Sequence, residues 1–243
     1  MNIVSATDIG KVRKINEDSF EVFRAADFEV MLVADGMGGH NAGEVASACA
    51  VKAIKEYITE NAGKAEAAVL LKGAIAKADS EILKKAGENA GYTEMGTTVV
   101  MALIKGFTVF FANVGDSRGY VMDKFGIKQI TADDSVVAEL VRRGEITPDE
   151  AKTHPQMNII TQAVGTKGGV EPRVYRHVCK AGDTVLLCSD GLTNMLGDDE
   201  IFETVKRYGA ESGAQKLIEF ANDRGGADNI TLTAAEFNGG DDA

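Results

Sequence analysis

Residues 30–36 read Val-Met-Leu-Val-Ala-Asp-Gly, and this apolar run, which ends in an acid and a glycine, decides the fold prediction. A run of this length bounded by a turn-forming pair is typical of a β-strand. Residues 185–191 read Val-Leu-Leu-Cys-Ser-Asp-Gly and repeat the arrangement, with Asp190 in the place of Asp35. The two runs predict two strands that each end at a carboxylate.

Outward from these runs, strand-length apolar segments alternate with amphipathic helical patterns. The predicted strands are Ile3–Ala6, Phe20–Arg24, Phe28–Ala34, Thr97–Ile104, Phe107–Val114, Gly119–Met122, Ile127–Thr131, Arg173–Val178, Thr184–Ser189 and Ile230–Phe237. Apolar stripes at helical spacing cover 46–58 and 67–82, and shorter ones cover 201–208 and 214–221. The short Lys105-Gly106 connection favours antiparallel pairing. We therefore expect an α+β fold: a four-layer α-β-β-α sandwich of two antiparallel sheets with helices outside.

Residues 133–169 differ from the rest because they are polar and rich in loops. A short apolar stripe at 136–141 stops at Gly144, and Thr147-Pro148-Asp149-Glu150 has the pattern of a capping box that starts a small helix. This segment is predicted to be a flap beside the functional site. Since no internal repeat or linker is visible, residues 1–243 are predicted to form a single domain with a frayed tail at 238–243.

Composition excludes several classes of function. The formal net charge is −11, and no cluster of Lys and Arg offers a face for nucleic acid. Cys49, Cys179 and Cys188 are scattered and form no C-x-x-C pair, which argues against a zinc ribbon or a dithiol site. No leader-like or membrane-length apolar segment is visible. We expect a cytoplasmic monomer without nucleic-acid or membrane partners.

Aspartates lie at the ends of four predicted strands. Asp35 and Asp190 follow their strands directly, Asp116 comes just after Phe107–Val114, and Asp228 comes just before the last strand. Each Asp-Gly pair alone is explained by turn formation. Four such acids at one sheet edge would repel one another unless cations neutralised them. Oxygen ligands without His or Cys indicate Mg²⁺ or Mn²⁺ rather than Zn²⁺.

The chain opens with a further motif, Asp8-x-Gly10-x-x-Arg13-x-x-Asn16-Glu17-Asp18. Arg13 beside two acids offers a guanidinium fork for phosphate next to carboxylates that could support a metal. With this motif added, the sequence resembles the metal-dependent protein phosphatases of type 2C in their compact bacterial form. The stretches that carry the resemblance are Thr7–Asp18, Val33–His40, Met95–Thr98, Asn113–Arg118, Ser189–Gly191 and Asp228–Thr231.

The resemblance implies a centre of two or three Mn²⁺ or Mg²⁺ ions. Asp35 would bridge two ions, and the Gly36 carbonyl would bind the second. Asp190 and Asp228 would complete the shell of the first ion, and Asn229 would orient Asp228. Water activated between two such cations would attack phosphorus.

The resemblance also implies supporting roles around that centre. Glu17 and Asp18 would hold metal-bound waters, and Asp116 together with Asp190 would support a third, weaker ion. Arg13 would hold the phosphate oxygens. His40 is a candidate to protonate the leaving oxygen.

The function expected is hydrolysis of phosphoserine and phosphothreonine in proteins, in opposition to a serine/threonine kinase that shares its substrates. Two departures bear on substrate preference: Asp134 stands where many relatives carry His, and Met157 stands where a basic residue is common. The alternative is a pseudophosphatase that docks phosphoproteins without turnover.

Two other readings fail on context. Residues 115–119, Gly-Asp-Ser-Arg-Gly, match the G-x-S-x-G pattern of serine hydrolases, but a predicted strand follows in place of the helix that a nucleophile elbow needs. The glycine-rich stretch 36–43 lacks both the third glycine of G-x-G-x-x-G and the Gly-Lys-Ser/Thr of nucleotide sites.

Overall fold

A computed structural model describes residues 1–38 and 42–238, and it contains two antiparallel sheets. The strands are β1 (Asn2–Asp8), β2 (Asp18–Ala25), β3 (Phe28–Met37), β4 (Gly96–Thr97), β5 (Val99–Lys105), β6 (Thr108–Val114), β7 (Arg118–Asp123), β8 (Gly126–Gln129), β9 (Arg173–Val178), β10 (Thr184–Cys188) and β11 (Ile230–Glu236). The helices are α1 (Gly43–Asn61), α2 (Ala67–Glu88), α3 (Val136–Arg142), α4 (Pro148–Ala151), α5 (Asp190–Thr193) and α6 (Asp198–Asp223), with a 3₁₀ turn at Ala90–Tyr92.

Each sheet collects strands that are distant in sequence. One sheet has the order β1-β11-β10-β7-β8, and the other has the order β2-β3-β5-β6-β9, with the short β4 also paired to β3. The Lys105-Gly106 connection joins β5 to β6 as an antiparallel hairpin, with Lys105 opposite Thr108. The β1–β11 pairing brings the two ends of the chain together.

Three apolar layers hold the elements together, and they define a four-layer sandwich. Between the sheets, side chains such as Met31, Phe111 and Leu187 pack face to face. The outer face of the β2-containing sheet packs on α1 and α2. The outer face of the other sheet packs on α6. Because sheet residues alternate between inner and outer cores, both faces of each sheet are apolar. The predicted fold class is confirmed.

One detail differs from the expected elements. The predicted strand Thr97–Ile104 is interrupted at Thr98, which separates β4 from β5. The two short helices expected before the last strand are present as the two halves of α6, on either side of a non-helical break at Gly209, where φ is 72°. Only glycine adopts this conformation at little cost, so the helical stripe is interrupted where the sequence supplies that residue. No helix in the described ranges is long and apolar enough to span a membrane.

Candidate metal centre

The predicted acids come together at one edge of the sandwich, and both sheets contribute. Asp35 lies near the end of β3, directly opposite Asp18 at the start of β2. Asp116 follows β6 in the same sheet. From the other sheet, Asp190 begins α5 directly after the loop that follows β10, and Asp228 precedes β11. Strand pairing therefore places side chains that are far apart in sequence at a common edge.

Burial and mutual repulsion disfavour the ionised form of these carboxyls. Burial, followed by the negative charges of Asp18, Asp190 and Asp116, raises the pKa of Asp35 well above its ordinary value. Burial and the neighbouring acids likewise raise the pKa of Asp18 to about 6, against hydrogen bonds that lower it. Burial and the charge of Asp190 raise the pKa of Asp116 to about 7.

Asp190 and Glu17 belong to the same electrostatic cluster. Burial and the charge of Asp228 raise the pKa of Asp190, while hydrogen bonds from Asp35 and Asn194 lower it. Burial also raises the pKa of Glu17, although Arg13 opposes that shift. A site that makes carboxylates repel one another is a site in which a cation is stabilised.

The donor set fits a hard divalent cation. Its donors are carboxylate oxygens, and Asp18 Oδ1 is a buried oxygen without a hydrogen-bond partner. In the described ranges, no three His, Cys, Asp or Glu side chains close around one point as they stand. Two of the carboxylates are bound to other side chains instead: Asp228 accepts from Arg13 Nη2 at 2.8 Å, and Asp190 accepts from Asn194 Nδ2 at 2.9 Å. Small rotations of these side chains would be needed to complete a ligand shell.

Arg13 lies at the rim of the acid cluster. Its guanidinium contacts Asp228 at 2.8 Å and approaches Glu17 Oε2 at 3.6 Å. The side chain remains 45% exposed. Since a guanidinium has five N–H donors, Arg13 retains donors for a further anion while it contacts these two acids.

A pair of hydroxyls links the Asp35 strand to the Asp116 loop. The Asp35 N–H donates to Thr98 Oγ1 at 3.1 Å, and the Thr98 N–H donates to the Asp35 carbonyl at 2.8 Å. Thr98 Oγ1 and Ser117 Oγ are 2.7 Å apart and buried. Gly115 has a φ of 97°, and a Cβ there would lie 2.8 Å or less from Thr98 side-chain atoms. The interruption between β4 and β5 thus brings Thr98 against both acid-bearing segments.

The Ser189 hydroxyl links the two sheets at Asp18. Ser189 Oγ donates to Asp18 Oδ2 at 2.8 Å and accepts from the Thr231 N–H at 3.0 Å. Ser189 directly precedes Asp190, so one serine fixes an acid of the first sheet next to an acid of the second.

Asn229, which was predicted to orient Asp228, contacts it through its backbone, while its side chain contacts the N-terminal loop. Its side-chain oxygen accepts from the Glu17 N–H at 2.8 Å, and its amide donates to the carbonyls of Ile9 and Ile15 at 2.9 and 3.0 Å. The Asn229 backbone N–H, not its side chain, donates to Asp228 Oδ1 at 2.8 Å. One buried amide satisfies three backbone groups of the N-terminal loop, which explains the side chain's direction.

Gly36 lies where the chain passes closest to its neighbours. A Cβ on Gly36 would lie 2.1 Å from the Gly43 carbonyl oxygen and 2.5 Å from that of Glu17. The Gly36 N–H donates to the Glu17 carbonyl at 3.1 Å. Any larger residue would therefore displace the loop that carries Glu17, which explains why the residue after Asp35 is glycine.

Two residues named in the sequence analysis, His40 and Ser117, border the site in the chain. His40 lies outside the described residues, so its role as proton donor stays a prediction. Ser117 is fully buried and is followed by strand β7 in place of a helix. The nucleophile-elbow reading of residues 115–119 is therefore wrong.

Two clefts lie in the described part of the chain. One, of about 470 Å³, is lined by β2 and α1, with Thr7 of β1 at its border, and it includes Asp18. The other, of about 410 Å³, lies between the two halves of α6 and does not include the acids of the cluster. The convergence of charged groups identifies the site, because a shallow polar metal centre need not form a deep pocket.

Comparison with known proteins agrees with this arrangement. The family model described as Protein phosphatase 2C matches residues 11–222. The chain belongs to the protein phosphatase 2C family. The serine/threonine phosphatase Stp of Listeria monocytogenes is 40% identical over 235 residues, which cover 95% of this chain and 93% of Stp.

Solved structures extend this family comparison to the fold. The structure of Stp1 from Staphylococcus aureus matches with a TM-score of 0.91 and 39% identity, covering 98% of this chain and 95% of Stp1. The catalytic domain of the serine/threonine phosphatase PstP, solved in complex with two manganese ions, matches with a TM-score of 0.86 and 35% identity over 98% of both chains. Family membership confirms the prediction of a metal-dependent serine/threonine phosphatase.

The sequence analysis missed the hydroxyl groups that support the site in this phosphatase 2C family member. Thr98, Ser117 and Ser189 each stand within a motif that was read for its acids or glycines. Their position next to the acids could have identified them, since Ser117 follows Asp116 and Ser189 precedes Asp190. Hydroxyls next to buried carboxylates are candidates for hydrogen bonds that hold those carboxylates in place.

Proposed function

We propose that this chain hydrolyses phosphoserine and phosphothreonine in proteins at the acid cluster between the two sheets. The observation that supports this site is the set of acids from both sheets that raise one another's pKa beside Arg13. Phosphate esters at neutral pH are anionic, so a site for them needs positive charge that this acid cluster alone does not supply.

The residues proposed to hold Mn²⁺ or Mg²⁺ are Asp35, Asp190 and Asp228, with the Gly36 carbonyl. Glu17, Asp18 and Asp116 would support this set. When bound, such cations lower the pKa of water and neutralise phosphate charge, which is the chemistry that hydrolysis at neutral pH requires. PstP, with two manganese ions, supports the choice of metal.

Arg13 is proposed to bind the phosphate group of the substrate. In this structure its guanidinium offsets the charges of Asp228 and Glu17. Once those carboxylates act as ligands, the same guanidinium can turn to a phosphate dianion, for which its planar fork is well suited. Its 45% exposure makes it accessible to a phosphorylated segment of another protein.

The side chains near the cluster favour direct attack by water over a covalent intermediate. Ser117 is buried, and its hydroxyl is paired with Thr98. Burial raises the pKa of the Cys188 thiol to about 12, so it is not a thiolate at neutral pH. Neither residue is therefore placed to act as the nucleophile.

The biological setting is proposed by analogy with relatives named as serine/threonine phosphatases. We infer a cytoplasmic, monomeric signalling enzyme, with residues 1–243 forming a single catalytic domain, that opposes a serine/threonine kinase. Its partners would be that kinase and the proteins it phosphorylates.

The test is phosphate release from a phosphothreonine peptide with Mn²⁺, with Mg²⁺ and with excess chelator. We expect release that requires metal and falls at least about a thousandfold in Asp190→Asn. The exposed Asp199→Asn on α6 is the matched control and should retain full activity. Metal-independent release, or tight peptide binding without release, would contradict the proposed function.

A further inference from the structure

The flap at residues 133–169 has no apolar core of its own. Helices α3 and α4 contain no buried residue. The buried residues of the flap lie instead at its base: Asp134 and Ser135 near its start, and Ala163 and Val164 near its end. The position of the flap relative to the acid cluster is therefore determined by contacts at its base.

Asp134 connects the two sides of that base to the loop of Asp116. Its N–H donates to the Gly115 carbonyl at 2.8 Å, and Oδ2 accepts from the Gly115 N–H at 3.3 Å. Its carbonyl accepts from the Thr161 N–H at 2.7 Å on the returning side of the flap. The next residue, Ser135, forms an antiparallel bridge with Ile160. Asp134, at the start of the flap, thus contacts both Thr161 near the end of the flap and Gly115, the residue before Asp116.

The charge of Asp134 is balanced from β9. Arg173 Nη2 lies 2.7 Å from Asp134 Oδ1, and the Asp134 side chain has no exposed surface. Arg173 itself pairs across the ladder with Asn113, three residues before Asp116. A buried carboxylate is stable only while its partner and hydrogen bonds remain in place. This ion pair therefore holds Asp134 in a fixed position between the flap and the sheet.

We propose that the Asp134–Arg173 ion pair is a clasp that couples the position of the flap to the loop of Asp116. Asp134 and Arg173 are positioning residues that do not touch the substrate. Because the flap starts next to Asp116 and exposes Met157 and Ile159, a displaced flap would weaken contacts with residues around the phosphorylated side chain. A displaced Gly115 would also move Asp116 and weaken cation binding there. The substrate part of this inference rests on the proposed function.

The test compares Asp134→Asn, Arg173→Met, their double variant and the conservative Arg173→Lys. Lys152→Met is the matched control, since it breaks an exposed ion pair with Asp149 in the same flap. Amide hydrogen exchange over residues 136–162 is measured without metal, and Mn²⁺ binding is measured by calorimetry. The KM is measured for a phosphothreonine peptide and for p-nitrophenyl phosphate, which lacks the peptide residues around the phosphorylated side chain.

We expect Asp134→Asn and Arg173→Met each to speed exchange in the flap by about fivefold, with the double variant no faster than either. The KM for the peptide should rise by about fivefold while the KM for p-nitrophenyl phosphate changes less than about twofold. The weakest Mn²⁺ site should lose affinity by about fivefold. Arg173→Lys should recover at least half of each effect, and Lys152→Met should match the wild type.

Additive effects in the double variant, or exchange in Lys152→Met as fast as in the clasp variants, would overturn the proposal. So would equal changes in KM for the two substrates. If Asp134→Asn does not fold, Arg173→Met and Arg173→Lys decide the outcome. If the wild type releases no phosphate, the proposed function fails, whereas hydrogen exchange and Mn²⁺ calorimetry still decide whether the clasp exists.

Discussion

The acid cluster and the flap meet at Gly115 and Asp134, yet they are built in opposite ways. In the cluster, the carboxylates are partly buried, Thr98 Oγ1 accepts from the Asp35 N–H, and Ser189 Oγ donates to the Asp18 carboxylate. In the flap, residues 136–162 carry no buried side chain. The cluster brings together carboxylates that repel one another, whereas the flap is held by exposed polar contacts that water can replace.

This difference predicts where substitutions act. In the cluster, removing a carboxylate should reduce catalysis and at the same time stabilise the metal-free protein, because like charges are taken out of a buried site. In the flap above its base, a similar change should have little effect on either property. Stability and activity are thus opposed in the cluster and nearly uncoupled in the flap.

The largest effect is expected from Asp35→Asn. Loss of a carboxylate from the centre of the cluster should lower kcat for a phosphothreonine peptide by at least about a thousandfold, since the cations would lose a shared ligand. Asp149→Asn makes the same chemical change in the flap, where the side chain is exposed. Its kcat should stay within about twofold of the wild type. Equal losses in the two variants would remove the distinction between the regions.

A smaller effect, about 3 kcal/mol, is expected in the pH dependence of stability at Asp18. Burial and nearby acids raise its pKa to about 6 in the folded metal-free protein, from 3.8 as the ordinary value. The folded state therefore binds more protons between these values, so this carboxyl lowers stability as pH rises through about 6. Asp18→Asn should match the wild type near pH 4 and be more stable than it at pH 7.5 in chelator.

Urea unfolding of both proteins across this pH range measures the difference. Asp149 provides a comparison of opposite sign, because its hydrogen bond with Lys152 lowers its pKa. Its favourable contribution is present above its ordinary pKa and is lost as pH falls through the lower folded value. Asp149→Asn should therefore slightly destabilise α4 at neutral pH and not in acid, while the urea midpoint of the whole protein stays unchanged because α4 can open locally. A stabilisation by Asp18→Asn that did not vary with pH would contradict the electrostatic account.

The sequence predicted the cluster better than its supports, for a physical reason. Every predicted strand is present, because alternating and continuous apolar runs determine strand position locally. Asp35 and Asp190 could be recognised because each ends such a run before a glycine. Their closeness required only that the two strands, one from each sheet, end at the same edge of the sandwich.

Contacts between distant segments could not be predicted in the same way. The Thr98–Ser117 and Asp134–Arg173 pairs depend on how loops close over the sheet edge. The side chain of Asn229 bonds backbone groups of Ile9, Ile15 and Glu17, and no local sequence pattern indicates these three partners.

The smallest effect is expected from Thr147→Ala in the flap. The Thr147 hydroxyl accepts from the Glu150 N–H at 3.2 Å, and the Glu150 carboxylate accepts from the Thr147 N–H at 2.7 Å. Loss of such a cap usually costs about 1 kcal/mol. Because α4 has no buried residue, it can open without unfolding the sandwich, so this cost should fall on local opening alone. We expect faster amide exchange at residues 149–151 with an unchanged global midpoint in urea. A lower global midpoint would mean that the flap unfolds together with the sheets, and the two regions would then form one cooperative unit.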